Sequence, residues 1–316
     1  MTQDHPILTA FAEALHTRDR SAATVKHYLS DLRQFVAWFE ARTGEPFTLE
    51  GITEYDVRDW RDYLAAAMKP ASVNRKLAAL SALYRWAGET GQREGDPTRY
   101  VNGVAQQPTA PKALADQELT RILRKAHQGG NKRDIALLEL LAATGLRASE
   151  VARLKLGDLE LNERSGWVTV RGKGRKQRRV PVNARARRIL REYLDERVGA
   201  QQPPAGFAVS YTLSEGEGAQ PNGSEPAGGF LFLTQKRTAM TAYAVWYTVK
   251  KYAAAAGVEH VSPHTFRHTV ATRLVRDPQV DLVTAATYLG HSRLDTTARY
   301  SQPSEDDLAA AAERLQ

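Results

Sequence analysis

The sequence predicts a mostly α-helical chain with one small β-hairpin, divided into two domains. Three observations support this fold class. Apolar residues recur at helical spacing through the first hundred residues, where no stretch alternates like a strand. Strand-like alternation occurs around residues 167–182, on both sides of a glycine turn. A proline-bearing stretch at 106–112 separates the two parts, and 316 residues suffice for two ordinary domains.

The first part, residues 1–105, predicts a helical domain. One amphipathic helix spans Thr24 to Phe39, a second begins at Thr53, and a third begins at Pro70 and stops near Gly88. The third helix carries a basic, amide-bearing face made of Lys69, Asn74, Arg75, Lys76 and Arg85. Such a face is often only a solvated surface. Beside the rest of the chain, however, it favours contact with phosphates or base edges, and we expect DNA contacts from Lys69, Asn74, Arg75 and Lys76.

Residues 106–112 form the predicted linker, because two prolines disfavour helix there. The second domain, 113–316, begins with a helix near Ala115 and continues with a buried apolar helix over 134–144. Arg147 follows closely, between two apolar elements, which is a poor place for an idle charge. The alternative to a functional role for Arg147 is a structural ion pair with Glu150.

The predicted hairpin has strands at 167–170 and 177–182, with Lys173 between two glycines at its tip. From Arg171 to Arg191 the chain has ten basic residues and no acidic one. Since like charges repel, we expect a polyanion to lie across this hairpin. The expected contacts include Arg175, Lys176 and Arg178.

The remainder of the second domain is less regular. Residues 199–229 lack periodicity and contain no Lys or Arg, which predicts a long flexible insertion. A short third strand is predicted at 230–233, and a helix at 242–256. A capped, alanine-rich tail helix is predicted at 304–316.

The stretch from Ser262 to Tyr300 concentrates groups that could act on a phosphate. A capping serine followed by proline predicts a helix start, which puts His264 and Arg267 on one helical face. His291 and Tyr300 follow downstream. Guanidinium groups match phosphate oxygens in geometry and charge, and a tyrosine hydroxyl can attack phosphorus covalently.

The composition favours a nucleic-acid partner. The net charge is +8 and the pI is near 9.6, although many soluble proteins are mildly basic. With 0 cysteines, a disulfide scaffold, a thiolate nucleophile and a Cys-ligated zinc are excluded. The start resembles no signal peptide and no apolar run approaches a membrane span, so we expect a cytoplasmic protein.

Five motifs occur together in the second domain. They are Gly145-Leu-Arg147-Ala-Ser-Glu150, Arg171-Gly-Lys173-Gly174, His264-Thr-Phe-Arg267-His268, Leu289-Gly-His291-Ser and Tyr300. In this order they resemble the signature of the tyrosine site-specific recombinases, the phage-integrase and Xer group. The resemblance covers nearly the whole chain. It implies a helical, SAM-like core-binding domain that clamps DNA, followed by an α+β catalytic domain.

The resemblance also implies a reaction, namely cleavage of one DNA strand without a metal ion, nucleotide or other cofactor. The implied catalytic residues are Arg147, Lys173, His264, Arg267, His291 and Tyr300. The tyrosine would attack the scissile phosphorus and form a 3′-phosphotyrosine. The arginines would hold the non-bridging oxygens, and the lysine would protonate the leaving 5′ oxygen. His264 is the expected acceptor of the tyrosine's proton.

A homotetramer on two DNA duplexes with specific recombination sites is implied as well, with strand exchange through a four-way Holliday junction. The tail at 304–316 is similar in length to the tail that family members dock into a neighbouring subunit. The insertion at 199–229 departs from the compact Xer pattern and fits a transposon, phage or integron-type enzyme equally.

Three alternatives remain at this point. A DNA-relaxing enzyme of the type IB topoisomerase kind shares the chemistry, and a DNA-binding regulator could retain the fold without catalysis. The third is a zinc site, because His264 and His268 lie four residues apart. However, Thr265 replaces the expected glutamate, and Arg267 would repel a cation. We expect His268 to support helix packing or the site, and Tyr288 to lie in the core.

Overall fold

In the computed structural model, the described residues are 5–18, 21–106, 113–171, 177–199, 229–291, 293–301 and 312–313. The chain folds as two compact units, Met1–Pro108 and Thr109–Gln316. The predicted linker spans this division, and its residues 107–112 lie outside the described ranges. No helix in the described ranges has both the length and the apolar character needed to cross a membrane.

The N-terminal unit is a bundle of helices. They are α1 (Pro6–Thr17), α2 (Ala22–Thr43), α3 (Glu54–Ala67) and α4 (Pro70–Glu89). The last three confirm the predicted helices, and their starts follow from Ser21, Thr53 and Pro70, which occupy capping or first-turn positions. The prediction missed α1, whose sequence signals are a proline at its first position and one apolar stripe of three buried residues.

The C-terminal unit combines helices with a small sheet. Its helices are α5 (Asp116–Gly129), α6 (Lys132–Thr144), α7 (Ala148–Arg153), α8 (Ala184–Gly199), α9 (Ala242–Ala255), α10 (Pro263–Arg276), α11 (Leu282–Leu289) and α12 (Leu294–Ala298). Its strands are β1 (Leu159–Leu161), β2 (Gly166–Arg171) and β3 (Gln177–Pro181). The order β1-β2-β3 is antiparallel throughout, with Val168 opposite Val180.

This sheet confirms the predicted hairpin, although its tip at 172–176 lies outside the described residues. The predicted strand at 230–233 is wrong. Phe230 and Leu233 each make only an isolated bridge, to Lys155 and Ala239. The third strand of the sheet is β1, which is too short to show a sequence pattern. Residues 200–228 and most of the predicted tail helix lie outside the described residues, whereas 312 and 313 are helical.

Two glycines bring separate parts of the C-terminal unit together. Helix α6 ends at Gly145 with φ of 61°, and α11 ends at Gly290 with φ of 69°, both in the left-handed region. A Cβ atom at Gly145 would lie 3.1 Å from the Cβ of Val270 on α10, so a side chain there would crowd this helix contact. Arg147 and His291 follow these reversals, and Arg147 lines a cavity with His264 at the start of α10.

Candidate active site

Arg267 lies at the centre of the site. Its side chain belongs to α10 and the residue is only 1% exposed. The guanidinium donates to the carbonyl oxygens of Gly145 at 2.9 Å and Leu289 at 2.6 Å. Both carbonyls lie at helix C-termini, which carry partial negative charge. Burial, followed by the charge of Arg147, lowers the pKa of Arg267 to about 10, so it stays protonated at neutral pH.

Arg147 is the second cation of the site, and a carboxylate fixes it in place. Its Nη1 donates to Glu150 at 2.9 Å and its backbone N–H donates to the same carboxylate at 2.8 Å. Its side chain nevertheless remains 41% exposed. Glu150 also accepts two bonds of 2.9 Å from Arg178, which makes a bidentate pair. The alternative of an Arg147–Glu150 ion pair is therefore present, and it leaves the guanidinium accessible.

Glu150 remains ionised at all ordinary pH values. Burial acts to raise its pKa, but the hydrogen bonds from Arg178 and the Arg147 backbone outweigh burial and hold the pKa at about 2. Arg178 is well covered, and a Cβ atom added to Gly290 would lie 2.8 Å from its guanidinium. Arg178 thus supports Glu150 inside the unit, and its predicted contact with DNA stays a prediction.

Tyr300 is buried in a small cluster with Val270, Ala271 and Leu289. Burial raises the pKa of its hydroxyl, and the charges of Arg267 and Arg147 act to lower it. The ring of His291 stacks on the Tyr300 ring at 6.2 Å between centroids. Tyr300, the candidate nucleophile, therefore lies close enough to both arginines for their charges to act on its hydroxyl.

The histidines of the site are neutral at pH 7. Burial, reinforced by Arg267 and Arg147, lowers the pKa of His264 and brings that of His291 to about 4. His291 Nδ1 lies 2.8 Å from the Thr297 hydroxyl, which fixes its ring. Both neutral rings can offer a hydrogen bond to a phosphate without adding charge.

His268 is the residue whose contact the sequence did not predict. Its Nδ1 lies 2.7 Å from the Tyr300 hydroxyl oxygen, and its ring contacts the His264 ring edge-on at 4.4 Å. The prediction gave the tyrosine's proton to His264, yet the hydroxyl bonds to His268 instead. The spacing of four residues predicts the contact between the two histidines, but nothing in the sequence marks the contact with Tyr300.

A cavity of about 670 Å³ opens beside the cations, lined in part by Arg147 and His264. Its other wall includes Tyr243 and Trp246 of α9, whose rings stack at 5.8 Å. Tyr243 is 70% exposed, which is unusual for so large an apolar side chain. In the sequence these aromatic residues show only their place in a predicted helix.

Lys173, Arg175 and Lys176 lie outside the described residues, so their roles stay predictions. The described residues on either side of them carry less free charge than the sequence indicated. Arg179 pairs with Glu160, Arg185 with Glu139 and Arg171 with Asp158. The acidic partners come from distant positions, so a run of one sign in the sequence is partly neutralised in the fold.

The predicted basic face of α4 also needs correction. Lys76 is 2% exposed, and its ammonium lies 3.1 Å from Asp31 and 2.6 Å from Gln34. Arg75 pairs with the same Asp31. Lys76 is therefore a core cation and is not available to a DNA backbone.

Asn74 is engaged as well, since its side-chain amide both donates to and accepts from the backbone of Val104, at 2.9 and 2.8 Å. This pairing uses the groups that could have read a base edge. Lys69 is exposed, and its DNA contact stays a prediction.

Comparison with known proteins identifies the family. Residues 112–306 match the phage integrase family, and residues 8–91 match the SAM-like N-terminal domain of phage integrases. The tyrosine recombinase XerC of Pelobacter propionicus is 32% identical over 304 residues, which cover 95% of this chain and 92% of that protein. The chain therefore belongs to the phage integrase family, the tyrosine site-specific recombinases, as its motifs predicted.

Solved structures share the fold. A post-cleavage complex of the XerH site-specific recombinase with palindromic difH substrate has a TM-score of 0.72 and 21% identity, covering 97% of this chain and 94% of that one. A lambda integrase tetramer bound to a Holliday junction has a TM-score of 0.65 and 17% identity, covering 95% and 79%. The predicted fold class, a SAM-like helical domain followed by an α+β recombinase domain, is confirmed.

Proposed function

We propose that this recombinase cleaves one DNA strand through attack of Tyr300 on a phosphodiester held by Arg147 and Arg267. The observation that carries the proposal is the buried Arg267 guanidinium, which is held by backbone carbonyls rather than by a carboxylate. Dipoles offset only part of a full buried charge. An anion that arrives beside Arg267 and Arg147 would complete the neutralisation.

The chemistry follows from the groups around this anion. In-line transfer at phosphorus depends mainly on positioning and on charge stabilisation. The two arginines would stabilise the charge that develops on the non-bridging oxygens, and His264 and His291 would donate hydrogen bonds to them. Tyr300 Oη would form the bond to phosphorus as the bond to the 5′ oxygen breaks. Lys173 would protonate that leaving oxygen, and a 5′-hydroxyl would later reverse the step.

We further propose that the enzyme acts as a homotetramer on two DNA duplexes, with a Holliday junction as intermediate. Support comes from the family and from the DNA complexes of the structurally related recombinases. The tail at 304–316 would dock into a neighbouring subunit, and deletion of this tail should weaken cooperative assembly on paired sites. Retained cooperativity would contradict the docking. We propose a cytoplasmic location, where DNA is accessible.

The test is a covalent-adduct assay on nicked DNA drawn from the flanks of the gene's own element. Full-length protein and Tyr300→Phe are compared on a denaturing gel, with Tyr288→Phe as the matched control. Tyr288 is the suitable control because its hydroxyl bonds to the backbone of Ala143 at 2.8 Å, and burial rather than a neighbouring charge raises its pKa. We expect a 3′-phosphate adduct that only Tyr300→Phe abolishes. An adduct that persists in Tyr300→Phe would contradict the assignment.

A relaxation assay and a binding assay, run beside the adduct assay, separate the alternatives. Relaxation of supercoiled DNA that lacks any particular site would favour a type IB topoisomerase activity. Tight binding without an adduct on any site would favour a regulator. The arrangement of cations around Tyr300 argues against the regulator, since a protein that only binds DNA has no use for a buried nucleophile among cations.

A further inference from the structure

We propose that His268 is the group that holds the Tyr300 hydroxyl and accepts its proton during attack on phosphorus. The inference rests on the proposed function and adds a seventh residue to its machinery. It stands on a direct contact, because His268 Nδ1 lies 2.7 Å from the reacting Tyr300 oxygen. That distance is within the range required of a general base.

Packing on both residues fixes the geometry of the contact between His268 and Tyr300. His268 lies one helical turn after His264 on α10, and the two rings meet edge-on at 4.4 Å. The Tyr300 ring lies 5.5 Å from the His268 ring and packs in the cluster of Val270, Ala271 and Leu289. Neither ring can turn away freely while these contacts persist.

The protonation states give the hydrogen bond its direction. Burial, then the neighbouring His264 and Arg267, lower the pKa of His268 to about 4, so its ring is neutral at pH 7. Burial raises the pKa of Tyr300, so its hydroxyl is un-ionised. Of these two neutral groups the phenol is the stronger acid. The Tyr300 O–H therefore donates to His268 Nδ1, and the proton already points along the transfer path.

Substrate binding would strengthen the base. Arg267 and Arg147 lie within electrostatic reach of this pair, and a phosphodiester anion bound to them opposes their charge. The pKa of His268 then rises, which makes its ring a better base. The same anion also raises the pKa of the Tyr300 hydroxyl, so the tyrosine needs the proton acceptor that lies 2.7 Å away. As the Tyr300 Oη–P bond forms and the P–O5′ bond breaks, the phenolic proton passes to His268 Nδ1. During rejoining the same proton returns to the tyrosine.

None of the other described neighbours competes for this role. His291 stacks parallel to the Tyr300 ring, and its Nδ1 is engaged with the Thr297 hydroxyl at 2.8 Å. His264 contacts the His268 ring and lines the cavity with Arg147. His264 is thus placed to bind the phosphate, while His268 serves the nucleophile.

The experiment measures adduct formation by excess full-length protein on nicked DNA across pH 6–10. His268→Asn keeps a group that can hydrogen-bond the hydroxyl but cannot take a proton near pH 7. We expect its rate to fall by about 10²–10³ at pH 7, in the range for loss of a general base. The deficit should shrink towards pH 10, where tyrosine begins to ionise unaided. Replacing Tyr300 with a fluorinated tyrosine of lower pKa should rescue His268→Asn for the same reason.

His260→Asn is the matched control, because His260 belongs to the same unit, has an 80% exposed side chain and adopts φ of 57°, which Asn tolerates. His268→Gln provides a second variant, and thermal unfolding and DNA affinity check the fold of both. A His268→Asn rate within about threefold of wild type at pH 7 contradicts the proposal. So does a loss that is equal at every pH and unaffected by the fluorinated tyrosine. If wild type itself forms no adduct, the proposed function fails first.

Discussion

Each unit of this protein buries a cation, and the two are held in different ways. In the N-terminal unit, the Lys76 ammonium lies 3.1 Å from the Asp31 carboxylate and 2.6 Å from Gln34. In the C-terminal unit, Arg267 donates to the carbonyls of Gly145 and Leu289 and has helix dipoles for partners. Both residues are almost completely covered.

The difference shows that burial of a charge does not by itself mark a functional site. A cation neutralised by a carboxylate inside the fold completes the core and has no further affinity for an anion. A cation stabilised by backbone dipoles keeps much of its field, and Arg267 shares that field with Arg147, His264, His291 and Tyr300. The partner, rather than the depth of burial, distinguishes the two roles.

The largest expected effect is on Arg267. Arg267→Ala should lower the rate of strand cleavage by about 10²–10³, as for loss of a transition-state donor, while DNA binding persists. Single-turnover adduct formation measures this. Arg273→Ala on the same helix is the control, because Arg273 makes an exposed pair with Asp116. Equal rates for the two variants would remove Arg267 from the reaction.

The second-largest effect is expected at Glu150, the carboxylate that holds Arg147 in place. Since the folded-state pKa of Glu150 is about 2, below its ordinary 4.5, its contribution is fully present above pH 4.5 and is lost as pH falls towards 2. Glu150→Gln should cost about 2–3 kcal/mol of stability at pH 7 and should flatten the loss between pH 4.5 and 2. Urea unfolding across this pH range measures both. Glu160→Gln, which removes an exposed ion pair with Arg179, should cost under about 1 kcal/mol of stability.

Lys76 tests the other side of the comparison. Lys76→Ala should cost about 1–3 kcal/mol, because Asp31 loses one buried partner and retains Arg75. The rate of cleavage per bound enzyme should not change. Arg85→Ala, exposed on the same helix, should leave stability nearly unchanged. A Lys76→Ala variant of normal stability and weakened DNA binding would restore the original prediction of a DNA contact.

The smallest expected effect concerns the aromatic wall of the cavity. If the DNA strand lies against Tyr243 and Trp246, Trp246→Ala should weaken DNA affinity by about 1 kcal/mol through lost aromatic contact, with little effect on cleavage once bound. Fluorescence anisotropy with labelled duplex measures the affinity. Tyr55→Ala, an exposed aromatic of the N-terminal unit, is a comparison for general surface effects. Unchanged affinity in Trp246→Ala would place the DNA elsewhere.

Much of the fold and most of the candidate site could be predicted from the sequence. Helical periodicity and caps located α2, α3, α4, α6, α9 and α10, and the motifs selected residues that the fold brings together. The structure gives the physical reason for the glycines in the motifs, which the sequence alone does not show. Gly145 and Gly290 end helices in the left-handed conformation, and the carbonyls there hold Arg267.

The basic residues whose surroundings the sequence did not show share one cause, because their ion pairs join residues far apart in the chain. Lys76 lies three residues after buried Val73 and four before buried Leu80, so its place in the apolar stripe was a usable signal. Arg178 shares the strand face of buried Val180 in the same way. The sequence alone does not show whether either basic side chain has a carboxylate partner inside the protein.

The most direct test removes the charge from the phosphate. DNA with a neutral methylphosphonate at the cleaved position needs less stabilisation of developing negative charge. If Arg267 exists to oppose that charge, Arg267→Ala should cleave this substrate at a rate close to that of wild type on the same substrate. A persistent deficit of about 10²-fold or more on the neutral substrate would show that Arg267 serves the structure of the site rather than the charge of the phosphate, and would contradict the account.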